Sequence, residues 1–491
     1  MFVLYDIKRN GDRRIVRLRI RKIQEVSPSY MMTEYCFLIS NQKTQGYFNK
    51  HAIFISLKGG PSINNVTEQQ TIGFLPCFFS IGETLPLVKL ARAYINKGGK
   101  VLFFSHGGSF EELAREIGCT IITLQELPWK QVLQSIDIHK LTYEQQLFAV
   151  YSQDVIDRLV QEEIQMFTKY NINALVSSFN LTASISARVV NIPLIVLTSG
   201  TAIPPYFQSG SATFPENYET MMTRLVPSFI KNRLAQWVLL NNTLLVKEFN
   251  AASKTYGLKR FHTLNDILLG DHTLICDDLQ LLGIRPTKRF PQENFIGPIT
   301  GGLHETTTPS LDSDIATHVK RQGRSILLTM GNTRDKRLFL SIVKTLHQTK
   351  YNVIVVYTTI DKDLLPEPKD NILYKQYISS PLHVNSMVDL AIIHGGRGTV
   401  YTAAYSGKPA IGIPMYIEHQ YNIDMLVRKG AGLRISKKFF HPQILLKAID
   451  TIFTQYPQFL SHAQQLAQDL SRCSGEEKGA ERLIAIMQST S

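Results

Sequence analysis

The stretch Leu390-Ala391-Ile392-Ile393-His394-Gly395-Gly396-Arg397-Gly398-Thr399 decides the fold. Four uncharged apolar residues run into a glycine-rich turn, and a helical pattern opens directly after it. A strand that feeds a helix through such a turn is half of a βαβ unit, which implies a parallel sheet. Glycines let backbone N–H groups approach a ligand closely, and a helix N-terminus carries partial positive charge. Together they make an anion site. The GxxxxGK[ST] and GxGxxG spacings are absent, so this is neither a P-loop nor a dinucleotide fingerprint. For a bare GGxG the alternative is a strand–turn–helix corner that uses Gly for positive φ.

The same rhythm surrounds this stretch. Upstream, strand patterns at 325–330, 352–357 and 371–374 alternate with helical patterns, the first reached through Gly331-Asn332-Thr333. Downstream come a strand at 410–413, a long helix and a final helix to about residue 488. An earlier series repeats it, with an apolar run at 74–81, a helical pattern at 86–96 and strands at 101–104, 120–124, 174–177 and 194–197. Two doubly wound parallel sheets are therefore expected, with ligands bound in a cleft at the carboxyl ends of their strands. Residues 202–270 break the rhythm. They are helical and aromatic-bearing, and read as an acceptor-side excursion. Residues 286–309 are rich in Pro and Gly and read as a linker. The expected chain is α/β: a basic β-rich extension over 1–70, a Rossmann-like domain over 71–300, a linker over 301–322 and a second Rossmann-like domain over 323–491. The last helix is expected to pack back on the first domain.

With 491 residues, 44% hydrophobic and 19% charged, the chain can build two or three cores and is not disordered as a whole. Its 53 Lys+Arg against 40 Asp+Glu give +13, which invites a nucleic-acid or membrane-surface partner. The charge is concentrated: eight basic residues and one acid, Asp12, lie between Lys8 and Lys22. There Arg17, Arg19 and Arg21 alternate with Val16, Leu18 and Ile20, predicting a strand with one basic face. Further strands are expected at 35–40 and 52–57. The basic run contains no aromatic residue, so no nucleic acid is expected. A peripheral membrane or protein contact through this face is the open alternative to a solvated strand. Five cysteines without a CxxC pair point to a reducing cytoplasm. No signal-peptide h-region and no spanning apolar window is present, predicting a cytoplasmic or membrane-peripheral protein.

Residues 394–432 resemble the nucleotide-sugar-binding segment of UDP-dependent glycosyltransferases. These form the GT-B superfamily that includes plant, antibiotic-modifying and sterol glycosyltransferases. The family pattern is HGGxGT, an EA pair, GxP and then PxxxDQxxN. His394, Gly395, Gly396, Gly398, Thr399, Gly407, Pro409, Pro414 and Asn422 match it. The resemblance extends more weakly to Phe295-Ile296-Gly297-Pro298, to 328–333 and to the first half from residue 72. It does not cover 1–70.

The resemblance implies roles. His394 and the N–H groups of Gly396, Gly398 and Thr399, with Arg397 between them, would hold the diphosphate, and Gly331-Asn332-Thr333 would face them. Tyr377 stands where the family usually stacks a Trp on the base, and the Ile378 backbone would meet the base edge. The family's ribose-binding Glu falls at Thr402, which lacks a carboxylate. Its sugar-binding Asp-Gln pair falls at Glu418-His419, with Gln420 adjacent and Asn422 following. Gly82-Glu83-Thr84-Leu85-Pro86 resembles the loop that carries the family's catalytic His, with Glu83 in its place. Sterol and glycopeptide-modifying members resemble this with an Asp. An ordinary acid in the first turn of a helix is the alternative reading. His106, Ser178 and Asn180 are expected to line the acceptor cleft, with an apolar, lipid or peptide acceptor met by aromatics of 200–270.

The reaction implied is an inverting transfer of a sugar from a nucleotide sugar, UDP-sugar favoured, to an acceptor hydroxyl. It needs no metal and no cofactor. The strings Asp312-Ser313-Asp314 and Asp361-Lys362-Asp363 read as caps or turns. Because Glu83, Thr402 and Glu418-His419 depart from the family pattern, the alternative is an inactive nucleotide-sugar-binding protein with a regulatory or scaffold role.

Overall fold

The computed structural model describes residues 2–10, 13–21, 34–40, 70–127, 150–301, 313–331, 335–358, 360–470 and 474–490. The chain forms two compact units, Met1–Asn65 and Val66–Ser491. In the first, β1 (Phe2–Asn10), β2 (Arg13–Arg21) and β3 (Glu34–Ser40) make an antiparallel sheet in that order. Phe2 pairs with Arg21, and Arg19 with Glu34. The alternating arginines thus lie on a central strand. β1 was not expected, and the strand expected at 52–57 lies outside the described residues.

The second unit holds two six-stranded sheets. The first has β4 (Thr71–Pro76), β5 (Lys100–Ser105), β6 (Ile121–Thr123), β7 (Ala174–Ser178), β8 (Leu194–Thr198) and β9 (His272–Ile275), in the order β6-β5-β4-β7-β8-β9. The other has β10 (Ser325–Thr329), β11 (Asn352–Val356), β12 (Ile372–Lys375), β13 (Leu390–Ile393), β14 (Ala410–Gly412) and β15 (Gly432–Arg434), in the order β12-β11-β10-β13-β14-β15. Every pairing in both sheets is parallel. Strands β7, β11 and β13 are buried along their whole length, as a sheet covered on both faces requires. This is the GT-B arrangement of two Rossmann-like halves. Strand order reverses between β4 and β7 and again between β10 and β13, and ligands bind at such switch points. β9 and β15 were missed because they lack an uncharged apolar run: β9 opens on His272-Thr273, and β15 is Gly432-Leu433-Arg434.

Apolar packing joins the halves. Ile203, Tyr206, Leu281 and Leu282 of the first share a cluster with Ile393, Val400, Tyr401 and Met425 of the second. The helix Gly475–Thr490 returns to the first half, where Ala480, Leu483, Ile486 and Met487 enter a cluster with Ile72, Phe74 and Leu90. Burying each such large aliphatic chain contributes about 1.5–3 kcal/mol. Lys89, itself buried, pairs with Glu476 at 3.4 Å and anchors the start of that helix. The 202–270 excursion is helical, with helices Met221–Leu225, Ser228–Leu240 and Val246–Thr255. Its aromatics divide: Tyr206 and Phe249 are core, while Phe229 and Trp237 are exposed.

Candidate active site

Beyond β4 the chain turns into the helix Ile81–Asn96. Glu83 lies in its first turn. The sequence reading starts this helix at Pro86 and leaves Glu83 in a loop, and the structure corrects it. Proline removes one donor without ending a helix when the freed carbonyl finds another partner. Here the bond lost at Pro86 would have gone to the Gly82 carbonyl, and the Arg397 guanidinium reaches that oxygen at 3.5 Å. The Ser178 hydroxyl, at the end of β7, donates to the Glu83 carbonyl at 3.1 Å. The Asn180 amide donates to the Pro76 carbonyl at 3.3 Å. Both strands of the first switch point therefore grip the turn that carries Glu83.

Glu83 is half-buried. Desolvation pushes its carboxyl up to about 7, opposed by the Arg397 charge and by a hydrogen bond from Ser178, and assisted by Glu418. A carboxylate poised near neutrality can take a proton from an attacking hydroxyl. Arg397 opens the helix Arg397–Ser406 in the other half. It lies among the carboxyl groups of Asp277, Glu83 and Glu418, which favour its protonated guanidinium.

The loop after β13 faces this carboxylate. Gly396 is the N-cap of the Arg397–Ser406 helix, and no side chain caps the first-turn N–H groups. The Thr399 hydroxyl instead donates to the Gly396 carbonyl at 2.8 Å. A Cβ at Gly398 would meet no atom within 4 Å, so the helix end opens on free space. Those amides and the helix dipole suit a phosphate oxygen.

His394 sits under the loop. Its imidazole touches both walls so closely that a Cβ on Gly331 or Gly396 would lie 2.5 Å from it. Burial and the adjacent His419 ring, 5.0 Å away edge to face, push His394 down to about 3. His419 is pushed down to about 4, again mainly by burial. Both rings are neutral at physiological pH. They act by shape and hydrogen bonding, not as cations.

The other expected residues separate into two groups. Thr402 is half-buried, and its hydroxyl donates to the Gly398 carbonyl at 2.8 Å, one turn back in the same helix. Glu418 is exposed in the first turn of the helix Ile417–Arg428, facing Arg397 and Glu83 electrostatically. Tyr377 is 67% exposed and free to stack, whereas the Ile378 side chain is core. Asn332 and Thr333 lie outside the described residues. Asp314 accepts from the Ile315 amide at 2.9 Å, and Asp361 pairs with Lys336 at 2.8 Å.

Three residues expected at a ligand are spent on the protein itself. Gln420 is buried, donating to Thr213 and the Phe214 carbonyl at 2.7 and 2.9 Å and accepting from the Glu216 amide at 2.9 Å. Asn422, also buried, donates to the Gly395 carbonyl at 3.1 Å and accepts from Thr201 at 3.3 Å. His106, only 2% exposed, has its two ring nitrogens 2.7 Å from the Gln125 carbonyl and 2.8 Å from Glu163. Its place is a buried hydrogen-bonded pair with Glu163 of the Gln153–Lys169 helix, not a cleft wall.

Sequence reading missed Asp277. It follows β9, is fully buried and accepts from the Gly200 amide at 2.6 Å. Its carboxyl is pushed up by burial and pulled back by Arg397. The signal was the acid pair Asp277-Asp278 after an apolar tetrapeptide, invisible while β9 was unrecognised. Also missed was the bridge of Arg434 to Asp424 at 2.8 Å and to Glu216 at 2.9 Å, which pins the excursion to the second half.

Residues 322–481 match the glycosyltransferase family 28 C-terminal domain. Human UDP-glucuronosyltransferase 2B10 is 23% identical over 306 residues, 57% of this chain and 54% of the relative. UDP-glucuronosyltransferase 2B15 of Rattus norvegicus is 23% identical over 287 residues, 54% and 51% of the two chains. The chain spans about half the length of the curated relatives it matches. Among solved structures, the spinosyn forosaminyltransferase SpnP aligns with a TM-score of 0.58 at 15% identity, covering 86% of this chain and 100% of its own. A UDP-glucosyltransferase from Polygonum tinctorium gives the same four values. The GT-B fold and the resemblance to UDP-glycosyltransferases read from residues 394–432 are both borne out.

Proposed function

We propose that this chain is a glycosyltransferase that moves a sugar from a UDP-sugar to a hydroxyl of a small-molecule or lipid acceptor, with inversion. The observation that carries it is the meeting of Glu83 and Arg397 across the two switch points. It sets a carboxylate of near-neutral pKa against an uncapped helix N-terminus. The acceptor hydroxyl gives its proton to Glu83 and its oxygen bonds to the anomeric carbon. The bond from that carbon to the diphosphate breaks, and UDP leaves with the electron pair. Amides of Arg397, Gly398 and Thr399 and the Arg397 guanidinium stabilise the charge that develops on the phosphate oxygen. His394, neutral and wedged between Gly331 and Gly396, sets the shape of that loop. Tyr377 stacks on the uracil, and Glu418 accepts sugar hydroxyls. The cation at Arg397 and the helix end supply the positive charge on the diphosphate, so turnover is expected to survive chelation.

The experiment is transfer and hydrolysis with a panel of nucleotide sugars, with and without EDTA, using Glu83→Gln and His394→Ala as controls and NMR of the product anomer. Binding of UDP-sugar without turnover by the unaltered chain overturns the enzyme reading. Retention of configuration overturns the single displacement.

A further inference from the structure

We propose that the face built by residues 221–238 docks on an anionic lipid bilayer. The helix Ser228–Leu240 is inside out. Its polar residues hold the protein: Asn232 accepts from the Phe214 amide at 2.8 Å, and the buried Gln236 amide donates to the Ala212 carbonyl at 2.8 Å. Ala235, Leu239 and Leu240 pack inward, but its other large apolar residues point to solvent. Ile230 is 48% exposed, Leu234 56% and Trp237 63%, spaced four and three residues apart so that they share one face, with Phe229 at 74% beside them. The short helix before it adds Met221, Met222 and Leu225, each at least 80% exposed. A soluble surface scatters such residues singly, and a contiguous apolar face marks an interaction site.

Charge selects the partner. From Thr220 to Lys247 the sequence holds four basic residues and no acid, and since Lys231 pairs with Glu219 just before this stretch, the cations of the face are Arg224, Arg233 and Lys247. Arg233 sits on the exposed apolar face itself. Arg224 stacks on Phe439 at the rim, 3.5 Å from the ring centroid. Lys438, beside Phe439, donates to the Asn217 carbonyl at 3.3 Å and adds a further rim cation. Large apolar side chains ringed by cations, with a Trp at one end, are what an interfacial helix presents to acyl chains and anionic headgroups. Each Lys or Arg near such a surface contributes about 1 kcal/mol of attraction. A protein partner matched to this face would need acidic residues around an apolar groove, whereas an anionic bilayer meets its cations and its apolar side chains together.

The test uses the full chain with vesicles of phosphatidylcholine alone or mixed with phosphatidylglycerol. Flotation should recover the unaltered protein with the mixed vesicles only, less so as salt rises, and Leu225→Glu should weaken binding about tenfold or more. Circular dichroism should be unchanged by Leu225→Glu, since the side chain is exposed. In a Trp129→Phe background Trp237 is the sole tryptophan, and its emission should shift to the blue and resist acrylamide on vesicle addition. Three results overturn the proposal. Binding untouched by Leu225→Glu with Trp237 unshifted would locate the contact elsewhere, as on the basic sheet of 1–65. Trp237 already shielded from acrylamide in the monomer would mean that the chain covers its own face. Shielding that follows dimerisation in sedimentation would give the face to a second copy. UDP binding, measured separately, does not enter any of these outcomes.

Discussion

Beyond β4 the first sheet offers Glu83, half-buried and held near neutrality by desolvation. Beyond β13 the second sheet offers His394, with His419 set beside it from the helix after β14, both half-buried and held neutral far below the usual imidazole range. The strand orders are the same, and the two loops follow the two different central strands of that order, β4 on one side of its switch point and β13 on the other side of its own, but the ionisation is opposite in sense. One site keeps a proton acceptor ready to change charge. The other keeps its imidazoles from titrating near neutrality and presents amides, a helix end and one permanent cation, Arg397. A shared topology fixes where the chemistry occurs, and the same desolvation acting on a carboxyl or on an imidazole fixes which chemistry it is.

The contrast is tested most severely at Glu83. Glu83→Gln should lower turnover roughly 10²–10⁴-fold, the range for loss of a general base, while UDP binding followed by calorimetry stays the same. An equal loss of UDP affinity would mean that the two sites are not separable. The rate of the unaltered chain should rise with pH through about 7 as Glu83 ionises, and the variant should lose that limb.

Arg397 links the sites. Because its charge lowers the Glu83 pKa, Arg397→Ala should move this acid limb to higher pH by about one unit or more. A pH–rate profile that keeps its midpoint while kcat falls would leave Arg397 to the diphosphate alone.

On the other side, Gly396→Ala drives a methyl into the His394 ring and should cost about 1–3 kcal/mol of stability. The thermal protection given by UDP should fall with it, while the pH limb stays in place. A smaller effect concerns acid. The imidazoles, depressed in the folded state, bind fewer protons there than in the unfolded chain. Their contribution is present above about pH 6.5 and is lost on acidification toward 4 and 3. Each can cost at most about 1.4 kcal/mol per pH unit in that window. Glu83, raised in the folded state, has the opposite slope between its ordinary value near 4.5 and about 7. The urea midpoint should therefore drop from pH 7 to pH 5, and drop more steeply in Glu83→Gln.

The least effect on catalysis is expected of Gln420→Ala. It should lower Tm by a few degrees, as loss of about 1 kcal/mol does. The KM for UDP-sugar should change little, since Gln420 is bonded to the 213–216 loop.

Much of this was legible in the sequence. Uncharged runs such as 390–393 and 352–356 are long enough and pure enough to announce buried parallel strands. Glycines at 331 and 396 announced a crowded loop. Glu83 was found by its place before Pro86, though its helix was begun too late. What stayed hidden was pairing across sequence distance. Nothing near Gln420 says that it answers the Thr213, Phe214 and Glu216 backbone or side chain. Nothing near Asp277 says that Arg397 lies beside it. The excursion misled for another reason. Composition reports that 221–238 is apolar, but not that its polar residues face the protein.

The helix Gly475–Thr490 also bears on how the protein is made. The first sheet emerges early from the ribosome, but Leu483, Ile486 and Met487, which complete its core beside Phe74 and Leu90, emerge only after the whole second sheet. Until then an apolar groove lies open along the Ile81–Asn96 helix. Synthesis at about 5–20 residues per second leaves that groove uncovered for tens of seconds, an interval in which chaperones would be engaged. The first half of the molecule is thus the first to be translated and the last to be finished.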